Sequence, residues 1–171
     1  MKKLDVDNSE RFCVFQSGEH WFGVSSLFIR SVVLRPTTIR APFSDPILKG
    51  ICHLQNEFVP VLSLRALMNV EYESAPDSEK QMIVMIGSQG PWGLLIDRAV
   101  GLVPLETSIS TFSDGDDHWS KVVIGSASYS SHVVQVLDAA AVNQYASTLL
   151  NSFLLDPVRN DHISTIHASA C

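Results

Sequence analysis

The chain has 171 residues, 46% of them hydrophobic and 18% charged, which suits one full domain or two small barrels sharing a core and is too apolar for a disordered chain. Its formal charge of −6 is uneven: residues 1–75 hold eight Lys/Arg against eight Asp/Glu, whereas residues 76–171 hold four against ten. An acidic second half repels phosphate backbones and anionic membrane surfaces, so the expected partners are proteins with basic patches and not nucleic acid.

The opening MKKLDVDNSER carries two lysines with no apolar stretch behind them, unlike a secretory leader. No apolar run approaches the roughly 18 residues of a membrane helix, so the expectation is a cytoplasmic protein without direct membrane contact. Cys13, Cys52 and Cys171 are odd in number and widely spaced, the pattern of reduced thiols rather than of a disulfide framework.

Short runs rich in Val, Ile, Phe and Trp recur between turn residues, which predicts a mostly β chain. Residues 12–15 (FCVF), a turn at Ser17-Gly18-Glu19 and residues 21–24 form a first hairpin, and residues 29–34 form a third strand that Pro36 closes. Pro42 and Pro46 mark a connection, because neither can donate to a central ladder. Residues 50–54 and 58–62 flank the polar Gln55-Asn56-Glu57 as a second hairpin, and residues 64–68 make a turn or two of helix. The polar stretch 71–80 reads as a loop. Residues 82–86 and 92–96 then form a third hairpin, 100–105 extend the sheet, 107–120 read as loop, and 122–127 with 133–137 give a last strand pair. Asp138 is a good N-cap before Ala139, Ala140 and Ala141. The apolar stripe Val142, Tyr145, Ala146, Leu149, Leu150, Phe153 and Leu154 then marks a helix that Pro157 ends. Nine or ten strands and one late helix predict two small barrels packed together.

A search for chemistry returns nothing specific. The six histidines show no short recurring spacing of the kind a zinc site uses, so no metal and no cofactor is expected. The acidic run Asp114-Gly115-Asp116-Asp117 lacks the ligand register of a calcium loop. The glycines at 87 and 90 precede a strand and not the helix that a phosphate cradle needs. There is no Gly-x-Ser-x-Gly elbow. The expected chain is therefore no enzyme; a Ser–His–Asp set converging in a deep pocket would revive a hydrolase reading.

The informative stretch is GICHLQNEFVPVLSLR, residues 50–65. It resembles the signature of the CheW family, roughly G-V-I-N-L-R-G-E-x-x-P-V-x-D-L-R, with Gly50, Leu54, Glu57, Pro60, Val61, Leu64 and Arg65 in place. Residues 12–33 look like the family's opening hairpin and V-x-E-I segment. Residues 93–105 look like its G-x-x-V-D-x-V-x-G-V block, with Gly93, Ile96, Asp97 and Gly101 matching, and the stretch ending in Leu137-Asp138 looks like its closing strands. The resemblance spans about residues 10–150.

It implies two SH3-like five-stranded β-barrel subdomains with a C-terminal helix, one intertwined domain over residues 10–155, and flexible tails at 1–9 and 156–171. It also implies a non-catalytic adaptor that couples a chemoreceptor cytoplasmic tip to the regulatory domain of a CheA-type histidine kinase. The departures fall on polar positions: His53, Gln55 and Asn56 replace Asn, Arg and Gly of the N-L-R-G turn, Ser31 replaces Glu of V-x-E-I, and Ser63 replaces Asp. Losing Arg and Glu together points to a charge pair, or two charged contacts, that has gone. Two readings follow: a divergent member with altered or lost receptor contacts in another chemosensory system, such as one for twitching motility, or a member that keeps the usual partners. The residues the resemblance assigns to partner binding are Ile29, Ser31, His53, Leu54, Gln55 and Asn56. Asp97 and Arg98 are expected to orient the second barrel's loop or to form a surface ion pair.

Overall fold

The structure is a computed structural model and describes residues 9–40, 45–68, 78–109 and 119–154. The chain forms β1 (Arg11–Ser17), β2 (His20–Ser25), a single 3₁₀ turn (Ser26–Phe28), β3 (Ile29–Leu34), β4 (Leu48–Leu54), β5 (Glu57–Ser63) and α1 (Leu64–Leu67). Further along the chain come β6 (Gln81–Gly87), β7 (Gly90–Ile96), β8 (Arg98–Pro104), β9 (Ser108–Ile109), β10 (Val123–Tyr129), β11 (His132–Leu137) and α2 (Ala139–Leu154). The expected tails, apart from Ser9, lie outside the described residues, as do the acidic run at 114–117, His118, His162, His167 and Cys171.

Two sheets result. The first runs β8-β1-β2-β11-β10-β9 and draws its strands from both ends of the chain; the second runs β3-β6-β7-β5-β4 and comes from the middle. The fold is the pair of SH3-like barrels that the resemblance implies, one inserted into the other. Four hairpins with two-residue turns build it, closing at the pairs Ser17↔His20, Leu54↔Glu57, Gly87↔Gly90 and Tyr129↔His132. The middle barrel is closed by an antiparallel bridge in which the Ile39 and Ile51 amides donate to each other's carbonyls at 2.9 Å. Gly50 makes this closure possible: its φ is +133°, and a Cβ there would collide with the Ile39 carbonyl oxygen.

One expectation is corrected. Residues 107–120 do not form loop throughout, because β9 pairs Gly125↔Ile109 and Ser126↔Ser108 and gives the outer barrel a sixth strand. A two-residue strand is too short to show a period, and it depends on Gly125, where a Cβ would meet the Ser108 carbonyl oxygen.

Strand alternation explains the core. On β6, Met82 and Val84 point into the middle barrel with Cys52, Val59, Val61 and Leu95, whereas Ile83 and Met85 face the other way. That opposite face joins Phe15, Phe22 and Leu137 of the outer barrel and Val142 and Ala146 of α2 in one shared core. Phe22 stacks on Phe15 at 5.7 Å and meets Trp119 edge-on at 5.9 Å. The barrels thus share most of their apolar burial.

The helix ties the assembly. Asp138 Oδ1 accepts from the Ala140 and Ala141 amides at 3.0 and 3.2 Å, the capping role expected of it. Buried Trp92 donates through Nε1 to Asn143 Oδ1 at 2.8 Å, and Asn143 Nδ2 donates to the Ile86 carbonyl at 3.0 Å. A helix that follows the outer barrel in sequence is thereby anchored on the middle one.

Candidate functional site

The signature hairpin β4–β5 turns through Gln55 (φ +48°) and Asn56 (φ +66°), both left-handed. Such a turn matches the twist of the flanking strands, but only Gly, Asn or Asp adopts it without strain. Asn56 is therefore an adequate substitute for glycine, while Gln55 carries a cost.

A brace offsets that cost. Arg30 Nη2 donates to Gln55 Oε1 at 2.9 Å, and Arg30 Nη1 is paired with Glu57 Oε2. Arg30 can reach them because β3 bulges at that residue: Ile29 opposes Met85 and Ser31 opposes Val84, leaving Arg30 as the extra residue. The pair is exposed, its side chains 35% and 47% accessible.

The expected binding residues divide into two groups. His53, Gln55 and Asn56 are exposed on this hairpin, with the His53 ring 5.4 Å from that of Phe58. Ile29, Ser31 and Leu54 are half-buried. Ile29 packs against the shared core, and Leu54 against the interior of the middle barrel. The hairpin and the bulged strand meet through Arg30, so residues from three strands and one turn share this rim: Ile29 and Arg30 of β3, Leu54 of β4, Gln55 of the turn and Glu57 of β5. Sequence reasoning misses Arg30, although it sits beside Ser31 in the segment already under scrutiny. It also misses Phe58, whose ring is 77% exposed at an unspecified position of the signature.

The second charged pair is Arg65 with Asp97. Arg65 Nη2 donates to Asp97 Oδ2 at 2.6 Å, the Gly18 amide donates to the same oxygen at 2.8 Å, and the Asp97 amide donates to the Gln16 carbonyl at 3.0 Å. This corrects the expected roles of Asp97 and Arg98. Asp97 is not a surface partner of its neighbour: it fastens the β1–β2 turn of one barrel to α1 of the other, with side chains only 13% and 20% accessible. Arg98 instead donates to Gln16 Oε1 at 3.0 Å and lies over the Trp21 ring.

Beside this corner Glu79 is buried. Its Oε1 accepts from the Ser63 hydroxyl at 2.7 Å and, at a longer 3.4 Å, from the Arg65 amide. Burial pushes its carboxyl above the ordinary carboxylate range, against the lowering influence of those hydrogen bonds and of the Lys49 and Arg65 charges. Ser63, which also caps α1 by accepting from the Ala66 amide at 3.3 Å, thus connects the helix to a carboxylate from a distant segment.

Among the described residues no group of three His, Cys, Asp or Glu lies together. Cys13 and Cys52 are buried and free, and burial raises the Cys13 thiol to about 11, far from nucleophilic use. A cleft of about 930 Å³ on the outer barrel is lined by serines, Glu10 and Glu106, with no histidine among the described residues that line it.

The fold and the rim therefore define a class: a two-barrel β protein with its polar and aromatic display on an outward hairpin. The CheW-like domain model matches residues 11–146, and the chain belongs to the CheW-like domain family. Among solved structures, that of the scaffolding protein TtCheW from Thermoanaerobacter tengcongensis is similar to this chain, with a TM-score of 0.66 over 81% of this chain and 90% of that one. At 18% identity this likeness is one of fold. No curated protein matches the chain significantly. Among the described residues no helix is long and apolar enough to cross a membrane.

Proposed function

We propose that the domain formed by residues 10–155 is a non-catalytic cytoplasmic adaptor that couples a chemoreceptor tip to the regulatory domain of a CheA-type histidine kinase. The observation that carries this reading is the rim itself. A family signature hairpin exposes His53, Gln55, Asn56 and Phe58, carries the half-buried Leu54, and is tied through Arg30 to the strand that bears the half-buried Ile29. An amphipathic receptor helix can lay its apolar stripe on such aliphatics while the polar turn sets its register. The net acidic charge leaves nucleic acid outside the set of partners.

The changed turn favours a specific version of this function. Where the family carries Glu at 31 and Arg at 55, this chain carries Ser31 and Gln55, and a charged pair returns as Arg30 with Glu57. That favours a divergent chemosensory adaptor with a receptor preference of its own.

The test is co-migration of the full chain on a sizing column with a cognate CheA regulatory region, with and without a receptor tip fragment. A complex with both is the expected result. Binding to the kinase region alone would leave the scaffold and remove the receptor contact, and binding to neither would remove the adaptor function.

A further inference from the structure

We infer that Arg30 is the partner-contacting cation of this chain: it delivers to the signature rim, from β3, the positive charge that the turn lost at position 55, and it receives an acidic side chain on the receptor helix. This rests on the adaptor function proposed above and names the chemistry of its receptor contact.

Three observations carry it. The guanidinium of Arg30 lies at the end of the Gln55 side chain, 2.9 Å from Oε1, so it occupies the space into which a longer cationic side chain at 55 would extend. An arginine at 55 would face a like charge there, which explains why the turn carries a neutral acceptor. The placement is built into the backbone as well. Arg30 is the extra residue of a β-bulge between Ile29 and Ser31, and bulges re-aim a side chain out of the strand's regular alternation.

Third, the charge is available. Arg30 and Glu57 are 35% and 47% accessible, and an exposed pair of this kind is weakly held. An incoming carboxylate can take the guanidinium's second edge, or displace Glu57, at little cost. A partner contact there is bidentate in geometry, which lysine at this position would not reproduce. Ser31, in place of the family's Glu, removes the carboxylate that would otherwise compete from the same strand.

The experiment measures affinity of the full chain for a cognate receptor tip fragment in low and high salt, using wild type, Arg30→Ala, Gln55→Arg and the double variant. Arg30→Ala is expected to weaken binding about ten-fold and to flatten its salt dependence, as loss of a charge-assisted contact requires. Gln55→Arg alone should weaken binding through repulsion from Arg30, and the double variant should recover most of the loss, because the cation then comes from the turn. Equal melting temperatures for wild type and Arg30→Ala would show that the effect is not one of folding. Unchanged affinity in Arg30→Ala, or a double variant no better than Arg30→Ala, overturns this assignment while leaving the adaptor function. A wild type that binds no receptor fragment overturns this assignment together with the receptor half of the proposed function.

Discussion

The two arginine–carboxylate pairs of the described residues are chemically alike and physically opposite. Arg65 and Asp97 sit where two barrels and α1 converge, are largely withdrawn from water, and match the family signature residue for residue. Arg30 and Glu57 sit on an exposed rim, and Arg30 occupies a position that the signature leaves open. An ion pair in low dielectric cannot lose one member without stranding the other, so it resists drift. An exposed pair contributes little to stability and is free to move between strands. In this chain one pair thus joins the two barrels largely away from solvent, and the other lies open on the rim proposed for partner binding.

The largest expected effect comes from the strand that leads into the signature turn. Gly50→Ala forces a side chain into a conformation only glycine adopts readily and drives it against the Ile39 carbonyl that closes the middle barrel. Strain and overpacking together are expected to cost about 4 kcal/mol, read as a fall in thermal midpoint or as loss of soluble protein. Arg65→Ala comes next. It leaves the largely buried Asp97 carboxylate without its cation, for an expected loss of about 2–3 kcal/mol in denaturant unfolding, just below the range for fully buried pairs because Asp97 is not fully enclosed.

A pH series sharpens the same corner. Glu79 has a folded-state pKa raised by burial, so its protonated form favours the folded chain. Its contribution is fully present below the ordinary glutamate value, about 4.3, and is lost as pH rises through the elevated folded value. Glu79→Gln keeps an acceptor for the Ser63 hydroxyl and carries no charge at any pH. The variant should match wild type near pH 4 and exceed it increasingly toward neutrality, by less than the Arg65→Ala loss. Unfolding midpoints that run parallel across pH would remove the buried charge as the cause.

The reading of the fold from sequence succeeded where local physics decides. Residues 12–15, 21–24 and 29–34 are strands because apolar runs end at turn formers, and α2 begins where Asp138 can cap it. It missed β9, whose pairing rests on a distant glycine and not on its own composition. At the site, the departures at 31, 53, 55 and 56 are visible against the signature, and Asn56 takes a left-handed turn conformation that its residue type tolerates. Their consequence was not visible. Arg30 and Glu57 lie 27 positions apart and meet only because the barrel curls and β3 bulges, and neither leaves a mark in hydrophobic period. The partner of Asp97 was likewise 32 positions away in Arg65, whereas adjacency pointed to Arg98.

The smallest effect is the one that separates the two pairs most cleanly. Double-mutant cycles on Arg65/Asp97 and Arg30/Glu57, read by denaturant unfolding, should give couplings of about 2 and about 0.5 kcal/mol. Repeating both cycles in 1 M salt, where screening acts over about 3 Å, should erase the second coupling and leave most of the first. The reason is access: counter-ions can approach Arg30 and Glu57 from the solvent side, whereas Asp97 is covered by the β1–β2 turn and by Arg65 itself. If the Arg30/Glu57 coupling survives high salt, that pair is part of the fold, and the rim is less free to exchange its cation with a partner than its exposure implies.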